Sequence, residues 1–168
     1  MFYITGHRDE GFTFIEMLIA LVIVVILTII SIPLFSSIIA AHKISSAAEN
    51  LSSSLQLARS TAIMSNATVY VSFTTGTSWC YGINSGSSCN CVVAGNCGLG
   101  TVNAPSGQIP LSIAGFSNNT ISFESTHGAT NSSGSITIGN TGQLITITVS
   151  ALGNQNICST DISGYGTC

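Results

Sequence analysis

Residues 11–33 read GFTFIEMLIALVIVVILTIISIP, and they form the longest apolar stretch of the chain. Glu16 is its single charged residue, and residues 17–34 carry no Asp, Glu, Lys or Arg. At about 1.5 Å per residue, a helix of these eighteen residues reaches about 27 Å, close to the hydrocarbon thickness of a bilayer. The stretch therefore predicts an apolar helix that can span a membrane.

The rest of the chain has the composition of one compact, strand-rich unit. About 100–130 of the 168 residues remain for it, which is one domain. Polarity comes from Ser, Thr, Asn and 17 Gly, while 45% of the residues are hydrophobic. Lys and Arg total three, so a basic patch that neutralises nucleic-acid phosphates is disfavoured.

Hydrophobic periodicity divides this unit into a helix followed by strands. Residues 34–64 continue the helix, with one apolar stripe at spacings of three and four and with Arg59 on another face. The stripe consists of Ile44, Ala48, Leu51, Leu55, Ala58 and Ala62. From Thr68 the period becomes two, and residues 69–83 predict a hairpin. Further strands are expected within 111–149, whereas 84–110 is expected to be an irregular loop.

The first eleven residues, MFYITGHRDEG, do not have the order of an ordinary secretory signal, because the small residue Gly11 precedes the apolar run. A cut after Gly11 would leave that run on the mature chain, starting at Phe12. Gly11, Phe12, Glu16 as fifth mature residue and the following helix resemble the class III signal of type IV pilins and type II secretion pseudopilins. The resemblance implies that prepilin peptidase cuts after Gly11 and methylates the amine of Phe12.

Two residues of the apolar stretch have expected roles in assembly. Inserting an ionised Glu16 into a membrane as part of a helix costs about 2.5–3.5 kcal/mol of free energy. The cost is avoided where the carboxylate stays hydrated at the interface or pairs with a positive charge. The nearest unpaired positive charge after cleavage is the amine of Phe12, either of the same subunit or of a neighbouring one, and pairing with a neighbour's amine would set the register of a filament. The alternative is that Glu16 is an interfacial residue without a role. Pro33 removes the helix hydrogen bond to Ile29, so it bends or loosens the helix or marks the end of the span.

A second resemblance covers nearly the whole mature chain. Residues 55–73, LQLARSTAIMSNATVYVSF, are similar to the GspH/FimT group of minor pilins and pseudopilins, most tellingly at Ala58-Arg59-Ser60. It implies an α+β type IV pilin fold, with a long N-terminal α-helix packed on an antiparallel sheet. The expected organisation is a leader at 1–11, a membrane and filament-core helix at 12–34, and a periplasmic domain at 35–168, divided into an amphipathic helix half, 35–64, and a sheet part, 65–168. Arg59 is expected to be a plain surface charge of the helix rather than a subunit contact.

Six cysteines follow the apolar stretch, and in an oxidising periplasm they allow up to three disulfides with fifteen connectivities. They are Cys80, Cys89, Cys91, Cys97, Cys158 and Cys168. Many pilins close a C-terminal loop, which favours pairing Cys158 with Cys168 and leaves the other four to tie residues 84–110 to the strand near Trp79. A zinc site at 89–97 is the alternative, but it lacks C-x2-C spacing and a nearby His.

Other functions find little support in the sequence. DNA-uptake members of the group tend to carry Gly-Arg-x-Arg where this chain has residues 153–156, GNQN, so DNA binding is not expected. Asp161 alone does not make the carboxylate set of a calcium loop. Glu124 and His127 are read as residues of a solvated turn, and no hydrolase, phosphate-loop or zinc-protease motif is present. We therefore expect no catalytic residue, no metal and no cofactor.

The sequence thus predicts a structural protein, a minor type IV pilin that helps to initiate or cap pilus assembly. A minor pseudopilin of a type II secretion system is the alternative, and a DNA-uptake pilin is a more distant one. The expected partners are prepilin peptidase, other major and minor pilins or pseudopilins, the inner-membrane assembly platform and the lipid bilayer. The expected location is a single pass in a bacterial inner membrane with the domain in the periplasm, followed by the filament.

Overall fold

The chain divides into two compact units, Met1–Ile39 and Ala40–Cys168. A computed structural model describes residues 11–105 and 109–168, apart from the side chains of residues 30–34. Helix α1 spans Phe14–Ser65 and so contributes residues to both units. All strands belong to the second unit.

Helix α1 ends in a cap that its sequence explains. Asn66 takes a left-handed conformation, with φ of 50°. The backbone N–H of Asn66 donates to the carbonyl of Ile63 at 3.4 Å, and that of Ala67 donates to the carbonyl of Ala62 at 3.3 Å. This pair of bonds is a Schellman motif, and Asn is one of the few residues besides Gly that accept the conformation it needs.

The second half of α1 packs against the sheets through the predicted stripe. All six stripe residues are buried, and Ala47 joins them. Alternate strand residues such as Val71, Phe123 and Ile147 come from the sheets into the same core. The predicted helix face and the predicted strand periodicity therefore meet in one hydrophobic core.

Eight strands and one short 3-10 turn follow the helix. They are β1 Val69–Thr74, β2 Cys80–Ser85, β3 Gly100–Asn103, β4 Leu111–Ala114, the turn Ser117–Asn119, β5 Thr120–Phe123, β6 Gly134–Asn140, β7 Gln143–Val149 and β8 Gln155–Cys158. The first sheet has the order β3-β2-β1-β5 and the second the order β4-β6-β7-β8. Every neighbouring pair is antiparallel.

Three details of the strand region differ from the sequence prediction. Residues 84–110 are not wholly irregular, because β3 lies within them and pairs with β2. Strand β8 was not predicted either; its four residues alternate too briefly to give a periodic signal. The strands form two sheets rather than one, linked where Gly76 and Leu111 exchange backbone hydrogen bonds of 3.0 and 2.9 Å.

Candidate functional site: the exposed apolar segment and the loops of the second unit

Residues 12–29, called here the exposed apolar segment, present apolar side chains on every side. Each of these residues is exposed, and Phe12 and Phe14 are 87% and 80% accessible. Glu16 is the single charged residue of the segment. Within residues 11–105 and 109–168, no helix qualifies as a membrane span by length and hydropathy.

The start of α1 gives Glu16 a local role that the sequence analysis missed. The backbone N–H of Glu16 donates to the Thr13 hydroxyl at 3.4 Å and to the Thr13 carbonyl at 3.1 Å. Thr13 therefore caps the helix, and Glu16 occupies the acidic position of a Thr-x-x-Glu capping pattern. A carboxylate there also interacts favourably with the helix dipole. The spacing of Thr13 and Glu16 was the available signal.

The remaining processing and assembly candidates are only partly described. Gly11 is exposed and precedes the helix, and Phe12 is the second residue before Phe14 starts it. Residues 1–10 of the expected leader lie outside the described residues. Position 33 belongs to α1, but the side chain of Pro33 also lies outside the description, so its expected effect on the helix stays a prediction.

Two disulfides hold residues 86–98, the stapled loop, over the outer face of the first sheet. Cys80 of β2 pairs with Cys91, and Cys89 pairs with Cys97. The loop also bonds to strand side chains, because the N–H of Cys89 donates to the Ser72 hydroxyl at 3.3 Å. Pairing four cysteines within eighteen residues thus builds a small second cluster of buried sulfur beside the main core.

The third disulfide joins Cys158 to Cys168, the pair that the pilin resemblance implied. The Ser159 hydroxyl donates to the Leu144 carbonyl at 2.6 Å, and Tyr165 donates to the Glu49 carboxylate of α1 at 2.8 Å. Partial burial raises the pKa of Tyr165, a hydrogen bond with Ser45 opposes that rise, and the Glu49 carboxylate adds to it. The C-terminal loop is therefore tied both to β7 and to the helix.

Arg59 is not the plain surface charge that we expected. Its Nη2 donates to the Leu152 carbonyl at 3.0 Å, and its Nη1 donates to Asn154 Oδ1 at 3.3 Å. Its Nε is buried and has no hydrogen-bond partner in the described chain. A Cβ added to Gly128 would come within 2.7 Å of Arg59 Cγ, so this glycine makes room for the side chain. Arg59 thus joins the helix to the loop that precedes β8.

No acid-base site forms around the two residues considered for catalysis. Glu124 and His127 are both exposed and follow β5, where the N–H of Gly128 donates to the Glu124 carbonyl at 3.0 Å. They occupy the surface turn predicted for them. Among the described residues, no three His, Cys, Asp or Glu side chains lie together as a metal site would need.

Comparison with known proteins relates both the N-terminal segment and the second unit to pilin-like proteins. Residues 47–153 match the family described as Type II transport protein GspH, and residues 6–32 match the Prokaryotic N-terminal methylation motif. No curated protein matches the chain in sequence.

Among solved structures, the chain is similar to the Pseudomonas aeruginosa type IV minor pilin FimU, with a TM-score of 0.51. The two are 18% identical, over 68% of this chain and 92% of that one, so this likeness concerns the fold alone. The GspH match covers more than half of the chain, and the methylation motif covers the class III signal. The chain therefore belongs to the GspH family, as a pilin-like protein of the GspH/FimT group of minor pilins and pseudopilins.

Proposed function

We propose that this protein is a minor type IV pilin, a structural subunit that helps to initiate or cap pilus assembly. Prepilin peptidase cuts after Gly11 and methylates the amine of Phe12. The subunit then waits in the inner membrane with a single pass and its second unit in the periplasm, until the assembly platform moves it into the filament. Its role involves no catalytic step.

The exposed apolar segment is the observation that carries this proposal. Apolar side chains around the whole circumference of a helix are unfavourable in water and require lipid or other apolar helices around them. The bilayer surrounds these side chains before assembly, and the helices of neighbouring pilins surround them in the filament. In this proposal the second unit lies in the periplasm. Its three disulfides are consistent with that oxidising compartment.

Glu16 supplies the register of assembly in this proposal. It is the single charge of the segment and lies one helical turn from the mature N-terminus at Phe12. In an apolar surrounding a lone carboxylate is costly, and a neighbouring subunit's amine removes that cost only at one axial position. The pair therefore selects one docking position of an incoming major or minor pilin.

The test separates the charge of Glu16 from its place in the helix cap. Glu16→Gln keeps a side chain that the capping pattern accepts, but removes the charge. We expect its incorporation into sheared filaments to fall at least about tenfold, equivalent to about 1.4 kcal/mol, measured by immunoblotting. Glu49→Gln is the matched control on the same helix, since Glu49 lies outside the segment and bonds to Tyr165. Equal incorporation of both variants would contradict the proposal.

A second candidate is a minor pseudopilin of a type II secretion system. The observation that favours it is the GspH match over residues 47–153, because that family is described as a type II transport protein. Both candidates need the same exposed segment and the same processing. Co-purification of the subunit with secretion components, and none with sheared pili, would favour the pseudopilin.

A further inference from the structure

The edges of the two sheets differ in how far the rest of the chain covers them. Each sheet ends in two edge strands, β3 and β5 in the first sheet and β4 and β8 in the second. An edge strand has backbone N–H and C=O groups that face no neighbouring strand, so it can pair with a strand of another chain. An uncovered edge is therefore a candidate interaction surface, and the proposed assembly role does not use one.

Edges β5, β4 and β8 bond to other segments of the chain. At β5, the N–H of Asn131 donates to the Ser122 carbonyl and the N–H of Ser122 donates to Asn131 Oδ1, at 3.3 Å each. At β4, Leu111 exchanges two backbone hydrogen bonds with the turn that follows β1. At β8, Cys158 forms a parallel bridge with the C-terminal loop. These contacts occupy part of each of the three edges.

Strand β3 has no such cover among the described residues. The N–H of Ala104 donates to the Trp79 carbonyl at 2.8 Å. Because bonding alternates along an antiparallel pair, the backbone groups of Thr101 and Asn103 point away from β2. No described residue outside β2 bonds to the backbone of β3, and all four residues of the strand are exposed. This edge therefore presents N–H and C=O groups at the spacing of a strand.

The sequence of β3 does not block pairing either. Natural edge strands are commonly protected by charged side chains or by proline within the strand. Strand β3 reads GTVN, and no Asp, Glu, Lys or Arg occurs between Arg59 and Glu124. Pro105 comes after the strand, so it limits the length of the edge without interrupting it. The accessible edge is short and uncharged.

A hollow of about 390 Å³, called here the edge hollow, lies between β3 and the stapled loop. It is lined by residues 78, 80, 91–92, 94–95, 101 and 103. Its wall includes the disulfide of Cys80 and Cys91, and Val92, which is 69% exposed. None of these lining residues, all of which the structure describes, is acidic or basic. A charged group would find no partner there, so the edge hollow suits an uncharged side chain.

Strand register links the free edge to the edge hollow. Residues directly opposite each other on antiparallel strands project to the same face of the sheet. Asn103 is opposite Cys80 of β2, and the side chains of Thr101 and Asn103 line the hollow together with Cys80. A residue of an added strand that lies opposite Thr101 or Asn103 would project to this same face. The edge thus offers main-chain bonds, and the hollow beside it selects the side chain.

From these observations we infer that β3 binds an extended segment of a partner protein, which adds as an antiparallel strand and places a small uncharged side chain in the edge hollow. The edge needs amide donors and acceptors at strand spacing, which an extended polypeptide has. A second copy of β3 is disfavoured, because its own Thr101 and Asn103 would face its own hollow. The edge is short, so a dissociation constant of about 1 mM is expected for an isolated peptide. This inference does not depend on the proposed role in assembly.

An NMR titration of the full chain with synthetic peptides tests the inference. The isotope-labelled protein, held in detergent micelles, receives the capped peptide Thr-Val-Thr-Val-Thr up to about 10 mM. We expect the amide signals of Thr101 and Asn103 to shift more than those of the other strand edges. A matched peptide with both valine nitrogens methylated should bind at least about tenfold more weakly, because it keeps the side chains but loses the donors that would face β3.

One pair of variants tests the main-chain bonds from the side of the protein. Thr101→Pro removes an outward N–H that pairing with β2 does not use, whereas Thr101→Ala keeps it. Thr101→Pro should weaken the peptide at least about tenfold, and Thr101→Ala less than about threefold. The methylated peptide tests the same bonds on the unchanged chain, so the inference stays testable if Thr101→Pro does not fold.

A second pair of variants tests the edge hollow. Val92→Lys places a charge in its wall, whereas Val93→Lys changes the next residue, which is 52% exposed and does not line the hollow. Val92→Lys should weaken the peptide at least about fivefold. The matched control Val93→Lys should stay within about twofold of the unchanged protein.

Three results would overturn the inference. One is the absence of a shift at residues 101 and 103 with the unmethylated peptide. Another is equal binding of the two peptides, or equal binding by folded Thr101→Pro and Thr101→Ala. The third is concentration-dependent dimerisation of the unchanged chain that Thr101→Pro abolishes, because β3 would then join two copies of this chain.

Discussion

At the scale of single residues, Gly82 explains why two disulfides can lie so close to the first sheet. It is in the middle of β2, and a Cβ built on it would collide with Cys97 Sγ and come within 3.0 Å of Cys89 Sγ. The backbone of Gly82 does not need glycine for its conformation, since its φ is not positive. Space for sulfur, rather than backbone freedom, is the reason for a glycine here.

Gly82→Ala should therefore weaken the unit. Overpacking of a tight site costs about 1–3 kcal/mol, so we expect the free energy of unfolding to fall by that amount in a denaturant titration. Gly166→Ala is the control, because its Cβ would meet no atom within 4 Å and its φ is not positive. If Gly82→Ala unfolds like the control, the stapled loop does not rest on β2 as described.

Arg59 belongs to a sequence pattern of the family, and its hydrogen bonds within the chain give a structural reason for an arginine at this position. It lies in the Ala58-Arg59-Ser60 segment that carries the GspH/FimT resemblance. Its guanidinium bonds to Leu152 and Asn154, 93 and 95 residues away. The arginine at this position therefore holds α1 against the loop before β8.

At the scale of elements, helix α1 has two parts with different surfaces. Residues 12–29 are exposed on all sides, whereas from Ile44 to Ala62 one stripe is buried against the sheets. Polar residues lie on both sides of this stripe, and two of them bond to residues of the sheets. Ser52 is buried and bonds to Gln155 of β8, and Ser54 shares a hydrogen bond of 2.9 Å with the hydroxyl of Tyr81.

The bond between Ser54 and Tyr81 predicts how stability depends on alkaline pH. Burial raises the pKa of Tyr81, although the Ser54 bond opposes that rise. Above about pH 10 the unfolded chain loses a proton that the folded chain keeps, so stability falls as pH rises through this range. Tyr81→Phe should therefore show a shallower loss of stability between pH 9 and about pH 11 than the unchanged protein.

Thermal unfolding at each pH measures this difference. At pH 7, where tyrosine is protonated, the variant should be less stable by about 1 kcal/mol because it lacks the hydrogen bond. No free cysteine is present in the described chain, so no protein thiolate is available at the start to initiate disulfide exchange. Identical pH slopes for the two proteins would show that the Tyr81 hydroxyl is not buried as described.

At the scale of the whole molecule, the second unit is almost without charge. No Asp, Glu, Lys or Arg occurs between Arg59 and Glu124, and Asp161 is the one charged residue after Glu124. Its contacts therefore depend on hydroxyls, amides and apolar surface, so salt should affect them weakly. Three disulfides and one hydrophobic core hold this unit together.

This charge distribution predicts that the subunit does not bind DNA. Counterion release requires several cations at phosphates, and the two arginine positions of the DNA-uptake members are Asn154 and Asn156 here. Asn154 is also occupied by Arg59. We expect no retarded band in a gel-shift assay at about 50–200 mM salt, with a known DNA-binding protein as positive control. A band that persists at the higher salt would revive a DNA-uptake role.

Much of the fold could be predicted from local patterns. The stripe from Ile44 to Ala62 is a helical period, and the alternation of Val69, Val71 and Phe73 is a strand period, so each identifies its element without knowledge of the rest. Strands β3 and β8 were not predicted, because β3 is exposed along its whole length and β8 buries only Cys158, so neither carries an alternating apolar run. The capping pair Thr13 and Glu16 can be predicted from its spacing of three residues before an apolar run.

The sequence by itself determined the exposed apolar segment, the class III signal, the amphipathic helix and the pilin-like group, because these depend on residues close together in the chain. Only the tertiary structure decided the split into two sheets, the pairing of Cys80 with Cys91 and of Cys89 with Cys97, and the bonds of Arg59. These depend on strand register and on contacts between distant residues. Many such pairings are compatible with the same local pattern, and packing of the whole core selects one.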